Sequence, residues 1–403
     1  MQKRNLMTAL LLAIAMALPS FAQEEAKKPM LAGYYPNWGQ YSGFKAEDIS
    51  YHLLTHILYA FYKTNPNGDL FNADPTDEAN LRALIDSCKK NDVKIFLSIG
   101  GADQSDGFSE LSRNEKTRAN FVKNMIKLAD SHGFDGFDID WEYPYKAPGA
   151  DDELTYPGAP GVDPVYGLDA ADAKWAELLF IDMRKALDEY NAKSGKKVLL
   201  TAAVPGSDYW ARWTTDKTYQ QLDLLMVMSY DFMGTWEKRV KCNASTQQGW
   251  EIVKYYESRG IPKERLVQGL AFYGKSFNER KDPRTGKALP LGLGSEFDGT
   301  GSGSGGVLVW SKLLDQLKIN KYVVTFDEDI GCEYAVGNQE ILVFNGTKST
   351  QHTVRSVRER LHEGYPGVMY WDMLSDFGVP DSLSLLIAAH NELFQTKASH
   401  KRK

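Results

Sequence analysis

The sequence of 403 residues predicts an α/β protein with one (β/α)8 TIM barrel. Three observations lead to this fold. Eight short apolar or β-branched runs recur, and the segments between them space apolar residues by three and four. No glycine-rich phosphate turn follows the first run, which argues against an open doubly wound sheet. The predicted strands are residues 30–35, 56–61, 94–99, 136–141, 197–204, 222–230, 266–273 and 367–372, and the predicted helices include 77–90, 115–131, 170–192 and 247–259.

The chain begins with a segment typical of a secretory signal peptide. Lys3 and Arg4 precede an apolar run over residues 6–18, and Ser20-Phe21-Ala22 has the small-x-small pattern of a cleavage site. This run is shorter than the ~20 apolar residues that a membrane-spanning helix needs, and no later stretch reaches that length. We therefore expect residues 1–22 to be removed near Ala22-Gln23, and the product to be secreted or periplasmic, without a membrane span.

The charge balance argues against a nucleic-acid partner. The formal net charge is −6, removal of two basic signal-peptide residues makes it more negative, and the remaining Lys and Arg are scattered rather than clustered. Aromatic residues make up 12% of the chain, including 9 Trp and 21 Tyr, which suits stacking against sugar rings. We expect the protein to act as a monomer.

The cysteines predict no metal site. Cys88, Cys242 and Cys332 include no Cys-x-x-Cys pair, and no histidine cluster accompanies them. At most one disulfide bond can form within the chain, and the sequence leaves its pairing open. Buried free thiols are an equal alternative.

Two segments depart from a plain barrel. A Pro/Gly-rich loop at roughly residues 145–167 follows the fourth predicted strand, on the face where a barrel carries its chemistry. Residues 276–350 lie between the seventh and eighth strands, with a Gly-rich turn region at 292–306 and strand-like pieces at 322–326 and 340–344. They predict a small α+β insertion that walls a cleft suited to a polymer. The predicted domains are therefore a barrel at 23–275 and 351–403 and an insertion at 276–350.

The most informative motif is DGFDIDWEYP, residues 135–144. Asp138, Asp140 and Glu142 alternate with large apolar residues, so on a strand the carboxylates share one face and the apolar side chains share the other. Such a row is costly because each charge disfavours ionisation of the next, and that cost indicates chemistry. Asp135 has the opposite parity, and we expect it to brace the start of the strand.

Two other interpretations of this motif fit less well. Acidic residues on a solvated surface are rarely interleaved with Phe, Ile and Trp. A calcium loop of the EF-hand type needs oxygen ligands at positions 1, 3 and 5, whereas counting from Asp135 places Phe137 and Ile139 at positions 3 and 5. The motif therefore predicts a catalytic strand, with Glu142 at the mouth of the barrel.

DGFDIDWEYP resembles the Asp-x-x-Asp-x-Asp-x-Glu signature of the glycoside hydrolase family 18 chitinases. Further motifs follow the family order: GYYPNW (33–38), SIGG (98–101), MSYDFMGTW (228–236), GLAFYGK (269–275) and VMYWDMLSD (368–376). The insertion is similar to the extra α+β domain of the family's deep-cleft subgroup. The resemblance implies cleavage of β-1,4-linked N-acetylglucosamine with retention, using the substrate's own acetamide as nucleophile, unlike the two-carboxylate scheme of most glycosidases.

The resemblance also implies a role for each site residue. Glu142 would be the general acid and base, with its pKa raised by the negative field of Asp138 and Asp140. Asp140 would hold the acetamide N–H, Asp138 would share a proton with it, and Tyr230 would hydrogen-bond the acetamide oxygen. Further substrate contacts would come from Tyr34, Phe61, Ser98, Tyr143, Met228, Asp231, Trp236, Lys275 and Trp371, the last as the floor beneath the sugar. Gly100 and Gly101 would be structural, and no metal or organic cofactor is needed because acid and nucleophile are both accounted for.

Two positions depart from the family pattern. Ala102 follows SIGG where the family commonly has a stacking Trp, and Lys275 replaces an Arg that often follows the Tyr-Gly of the seventh strand. An aromatic stack is worth roughly 1 kcal/mol, so its loss weakens the binding of a sugar past the cut. We therefore expect soluble chitooligosaccharides to be better substrates than crystalline chitin.

Two alternative functions share this fold. An endo-β-N-acetylglucosaminidase would trim N-glycans by the same chemistry, and a non-catalytic lectin would bind chitin without cutting it. The Trp-Glu-Tyr-Pro run at 141–144 and the insertion favour a chitinase over the first, and the intact carboxylates of the signature favour it over the second.

Overall fold

The computed structural model describes residues 28–144, 172–319 and 321–395. Within these ranges eight parallel strands form the larger sheet: β1 (Met30–Pro36), β2 (His56–Thr64), β4 (Lys94–Gly100), β5 (Gly136–Asp140), β6 (Leu199–Val204), β7 (Leu224–Val227), β8 (Leu266–Ala271) and β15 (Gly367–Trp371). Since β1 pairs with both β2 and β15, the sheet closes into a barrel. The short strand β3 (Leu70–Asn72) pairs antiparallel with β2. The predicted (β/α)8 fold class is confirmed.

The predicted strands overlap the observed ones and differ mainly at their ends. The largest difference is at the sixth strand, which was expected to reach Tyr230 but ends at Val227. Beyond it the backbone turns tightly, since Ser229 N–H donates to Val227 O at 2.8 Å and Tyr230 N–H donates to Met228 O at 2.7 Å. These local hydrogen bonds replace the backbone hydrogen bonds to the neighbouring strands.

The helices of the described ranges are α1 (Glu78–Lys90), α2 (Asp106–Arg113), α3 (Glu115–His132), α4 (Asp172–Ser194), α5 (Asp208–Ala211), α6 (Asp216–Gln220), α7 (Thr246–Ser258), α8 (Trp310–Ile319), α9 (Thr347–Arg358) and α10 (Leu385–Leu393). Cap residues set their limits: the Asn114 side chain caps the start of α3, and Gly133, with a φ of 73°, follows its end. None of the helices in the described residues is both long and apolar enough to cross a bilayer. The predicted signal peptide and the loop at 145–167 lie outside the described residues. Residues 170–171, the predicted start of the helix observed as α4, also lie outside them.

The barrel separates two buried layers. Alternate residues of β1 point to opposite sides: Leu31 and Tyr35 join the layer beneath the helices, whereas Ala32 and Tyr34 join the barrel interior. The same alternation operates on β5, where Phe137 belongs to the outer layer. The carboxylates between the apolar residues of β5 therefore face the interior.

A second, antiparallel sheet follows β8 in the chain. Within the described residues it contains β9 (Tyr273–Glu279), β10 (Phe297–Thr300), β11 (Val307–Val309), β12 (Tyr322–Asp327), β13 (Cys332–Gly337) and β14 (Glu340–Phe344). The predicted strand-like pieces at 322–326 and 340–344 coincide with β12 and β14. The sheet begins at Tyr273, and α9 starts before residue 350 and packs against α10. The division of the chain into domains at 275/276 and 350/351 stays a prediction.

A disulfide bond links the segment after β7 to the second sheet. Cys242 and Cys332 are bonded, with their Cα atoms 6.1 Å apart, and Cys88 is a buried free thiol. All three cysteines lie in the described residues, so the alternative of three free thiols is wrong. Burial raises the pKa of the Cys88 thiol to about 12, which makes it unreactive at neutral pH.

Candidate active site

The interior face of β5 carries Asp138 at the centre of a hydrogen-bonded cluster. Asp138 is completely buried and accepts hydrogen bonds from Tyr34 Oη (2.9 Å), Ser98 Oγ (2.8 Å) and Thr201 Oγ1 (2.7 Å). Burial raises the pKa of the Asp138 carboxyl, while these hydrogen bonds act in the opposite direction. Tyr34 and Ser98 were predicted site residues. Thr201 was not, although it lies directly opposite Asp138 in the β5–β6 pairing.

Asp140 lies two residues further along the same face. It is buried, and in the described part of the chain its Oδ1 atom has no hydrogen-bond partner. Burial, followed by the charges of Glu142 and Asp138, raises the pKa of Asp140 well above its usual range. A buried carboxylate oxygen without a donor is costly, so this atom is suited to accept an N–H from a ligand.

Glu142 follows β5 at the mouth of the barrel and is half-buried. Burial raises the pKa of its carboxyl to about 7; the charges of Asp231 and Asp103 act in the same direction, and a hydrogen bond with Tyr143 opposes them. Burial is the largest cause of this shift, and the expectation that Asp138 and Asp140 contribute to it stays a prediction. The charge of Glu142 in turn raises the pKa of Asp140.

Aromatic rings form the opposite wall of the mouth. Trp371, at the end of β15, is half-buried and stacks on Phe61, with 5.7 Å between ring centroids and 19° between planes. Tyr34 and Trp38 contact the same indole at 5.5 and 6.1 Å. Trp38, the last residue of the GYYPNW motif, is half-buried within this wall. Among the described residues, cis peptide bonds at non-proline positions precede Phe61, Tyr143 and Asp372.

Gly100 and Gly101 allow β4 to approach this wall and β5 closely. Both have positive φ values, 111° and 104°. A Cβ atom on Gly100 would lie 2.2 Å from the Asp140 carbonyl oxygen, and one on Gly101 would lie 2.8 Å from the Phe61 ring. The structural role expected for the two glycines matches this packing.

The segment after β7 forms a third side of the barrel mouth, beside the carboxylates and the aromatic wall. Tyr230 is buried, and its neighbour Asp231 has a φ of 61° and a half-exposed carboxylate. Asp231 Oδ1 accepts a hydrogen bond from Tyr273 Oη at 2.7 Å and pairs with Lys275 Nζ at 2.6 Å. Lys275 also lies over the ring of Trp236 at 5.1 Å. Lys275 thus holds the acidic and the aromatic member of this side together by charge, and Trp236 remains 62% exposed.

The two remaining predicted residues, Met228 and Asp135, lie in different parts of the barrel. Met228 is buried in the interior cluster with Tyr230. Asp135 lies at the other end of β5, where it accepts hydrogen bonds from Ile95 N–H (3.1 Å) and Lys94 Nζ (3.0 Å). It braces the strand start, as its parity predicts. Within the described residues no group of three His, Cys, Asp or Glu side chains is arranged to hold a metal ion.

An aromatic group beside Tyr143 was not predicted from the sequence. The Tyr143 ring stacks on Trp210, with centroids 5.5 Å apart and 23° between planes, and Trp210 contacts Tyr209 edge-on at 5.1 Å. Ser105 was also missed; its hydroxyl accepts a hydrogen bond from Glu142 N–H at 3.2 Å. The run YWARW at 209–213 could have indicated this aromatic group. It follows β6, the fifth strand of the barrel, and the C-terminal ends of barrel strands lie at the mouth.

Comparison with known proteins agrees with the fold and with the motifs. The family model described as glycosyl hydrolases family 18 matches residues 30–376. A curated relative, Endochitinase 1 of Metarhizium robertsii, is 28% identical over 389 residues, which cover 87% of this chain and 82% of the relative.

Solved structures share the architecture. A class V chitinase from Nicotiana tobaccum (E115Q mutant, in complex with NAG4) superimposes with a TM-score of 0.76 and 23% identity, covering 91% of this chain and 99% of that one. Human YKL-39, described as a pseudo-chitinase with retained chitooligosaccharide binding, gives a TM-score of 0.76 and 24% identity, covering 91% and 100%. At these identities the two likenesses show the fold alone.

Proposed function

The chain belongs to the glycosyl hydrolases of family 18, and from this premise we propose that it cleaves β-1,4-linked N-acetylglucosamine in chitin or chitooligosaccharides. The family resemblance of the motifs is confirmed, and with it the chitinase-type class of enzyme. The proposed reaction retains the configuration at C1 and uses the substrate's 2-acetamido oxygen as nucleophile.

The observation that carries this proposal is that Glu142 and an Asp140 oxygen without a hydrogen-bond partner in the described residues lie in the same site. Glu142 comes two residues after Asp140, just past the end of β5, and it is close enough for its charge to raise the pKa of Asp140. Glu142 is a proton donor at the mouth with a pKa of about 7. Asp140 Oδ1 is buried below it without a donor among the described residues. A sugar that places its glycosidic oxygen at Glu142 can place its acetamide N–H at Asp140.

In the first step the sugar rests on Trp371 and its acetamide oxygen attacks C1. Glu142 donates its proton to the departing glycosidic oxygen, and the C1–O bond breaks to leave an oxazolinium ion. Asp140 accepts the acetamide N–H and offsets the positive charge that develops there. Tyr230 donates to the acetamide group, and it stays protonated because burial raises its pKa well above the usual range.

In the second step Glu142, now ionised, removes a proton from water as the water oxygen attacks C1. The bond to the acetamide oxygen breaks, which restores the N-acetyl group and the original configuration. Asp138 supports both steps through the proton it shares with Asp140. Its hydroxyl partners Tyr34, Ser98 and Thr201 can stabilise it as a carboxylate when the positive charge forms beside Asp140.

The substrate's acetyl group should be indispensable. We expect the protein to cleave the N-acetylglucosamine tetramer and to leave the fully deacetylated tetramer intact, because the latter has no nucleophile. Chromatography of the products measures this, and proton NMR of the first product should show the β-anomer. Cleavage of the deacetylated tetramer, or an initial α-anomer, would contradict the mechanism, and binding without any hydrolysis would identify a lectin.

The pH profile should report Glu142. A general acid works only while protonated, so a pKa of about 7 in the free protein predicts full kcat/KM below that pH and a tenfold fall per pH unit above it. The charge of exposed Asp103 raises this pKa, so Asp103→Asn should move the basic limb to lower pH. Initial rates on a soluble chitooligosaccharide over pH 4–9 measure both effects. A basic limb centred below pH 5 would exclude Glu142 as the acid.

We also propose export of the product after removal of the signal peptide at residues 1–22. The composition of that segment supports the proposal, and N-terminal sequencing of the exported protein tests it by locating the cleavage near Ala22-Gln23.

A further inference from the structure

The strand β12 forms one end of the second sheet. The strands of this sheet are ordered β10, β9, β14, β13 and β12, and within the described residues β12 pairs only with β13. That pairing runs from Tyr322 to Asp327 without a shift in register. The outer side of β12 is therefore a regular row of backbone N–H and C=O groups that can pair with a further strand.

The opposite end of the sheet is protected against such pairing. The strand β10 is four residues long, a register shift interrupts its pairing with β9, and Asp298 and Gly299 lie within it. Short strands, bulges and charged side chains are the usual means by which proteins prevent association at a sheet edge. Residues 322–326, the sequence YVVTF, contain no charge, proline or glycine. The β12 edge lacks the protection that the β10 edge has, which indicates that another strand covers it.

Apolar side chains of β12 are open to solvent on both faces of the sheet. Val323 is 72% exposed and Val324 is 50% exposed, and consecutive residues of a strand point to opposite faces. Such an edge gains hydrophobic contacts as well as hydrogen bonds when a second strand is added. The strand is also held in place in the single chain, since Tyr322 Oη donates to Glu340 Oε1 at 2.5 Å. A partner strand therefore meets a preformed edge, which lowers the entropic cost of association.

The charges beside β12 indicate which strand pairs with it. Exposed Lys321 precedes the strand, and exposed Glu328 follows it. If two β12 strands pair antiparallel with Val324 of each copy opposite Thr325 of the other, Lys321 of each copy lies opposite Glu328 of the other. Opposite charges at directly opposed positions stabilise a strand pair, whereas an in-register parallel pair would bring like charges together. The edge is thus complementary to a second copy of itself.

We propose that two copies of this chain associate through their β12 strands, antiparallel and about a two-fold axis, so that the two second sheets become one continuous sheet. A two-fold axis lets the same surface serve both copies, as in most symmetric dimers. The inference is independent of the proposed function, because no residue of the candidate active site lies in β12. The monomer expected from the sequence is the opposing outcome of the test.

Val324→Lys tests the pairing of the strands. The added charge would lie at the centre of the pair, where it opposes association, so we expect the dimer to weaken by about tenfold or more. Sedimentation velocity of the purified protein at concentrations up to about 100 µM measures the dissociation constant. The matched control is Val307→Lys, the same change at a valine of β11 that is 41% exposed, and it should associate as the wild type does. Both variants should keep wild-type turnover per chain.

Reversal of the end charges tests the antiparallel register. Lys321→Glu places like charges opposite each other at both ends of the pair and should weaken the dimer about tenfold. Adding Glu328→Lys reverses the second charge and should restore wild-type association at the wild-type net charge. A wild-type protein that is monomeric at about 100 µM, a dimer that Val324→Lys leaves intact, or a double variant no tighter than Lys321→Glu alone would each overturn the proposal. These measurements need no substrate, so they decide the interface even if the protein cleaves no chitooligosaccharide.

Discussion

Glu142→Gln should lose at least two orders of magnitude in turnover and keep its affinity for chitooligosaccharides. General acid catalysis contributes about 10²- to 10⁴-fold, and glutamine has no proton to donate at any working pH. The replacement has the same shape, and the Glu142 backbone N–H keeps its hydrogen bond to Ser105 Oγ. Single-turnover rates on the tetramer and calorimetric binding of the hexamer measure the two quantities separately.

The matched control is Glu177→Gln, the same change at a buried glutamate of α4. Glu177 accepts a hydrogen bond from Thr215 Oγ1 at 3.0 Å and pairs with Lys217 at 3.4 Å, outside the barrel interior. It should retain wild-type turnover. If Glu142→Gln hydrolyses the tetramer at near-normal rates, another group donates the proton and the proposed mechanism is wrong.

Asp140→Asn should reduce kcat by about 10²- to 10³-fold, the usual loss when one preorganised electrostatic contact is removed. The asparagine side chain fits the same buried space but carries no charge to offset the oxazolinium ion. Because that charge exists only in the transition state and the intermediate, kcat should fall more than affinity. Steady-state kinetics on the tetramer give kcat, and calorimetry with the hexamer gives the affinity.

Asp135→Asn makes the same change on the same strand, at its opposite end. Asp135 contacts Lys94 and the Ile95 backbone and lies outside the interior row, so its replacement should lower the free energy of unfolding by about 1 kcal/mol and leave turnover unchanged. An Asp140→Asn protein with more than a tenth of wild-type kcat would show that the Asp140 charge is not needed.

The parts of the site that could be predicted are those that depend on neighbours in the chain. The alternation of residues 136–142 places Asp138 and Asp140 in the interior whatever surrounds the strand, because side chains on a strand change faces at every residue. The same reasoning separates Asp135 from the row. The strand positions were likewise readable, since each is a contiguous apolar run; the sixth ends early only because Ser229 and Tyr230 form local turns.

The source of the raised pKa of Glu142 could not be predicted in the same way. Its nearest acids in sequence are Asp138 and Asp140, but burial and the charges of Asp231 and Asp103 also raise its pKa. Those residues follow other strands and meet Glu142 only at the mouth. Depth of burial, which is the first cause, is a property of the assembled barrel.

By itself the sequence determined the barrel class, the family and the face on which the carboxylates lie. Apolar periodicity and the order of the motifs depend only on the order of residues along the chain. Only the tertiary structure decided that Thr201 meets Asp138, that Cys242 bonds Cys332, and that Tyr209 and Trp210 continue the row of rings from Tyr143. These contacts join residues about 60 to 90 positions apart. Their existence depends on strand register and on closure of the sheet, which no local pattern encodes.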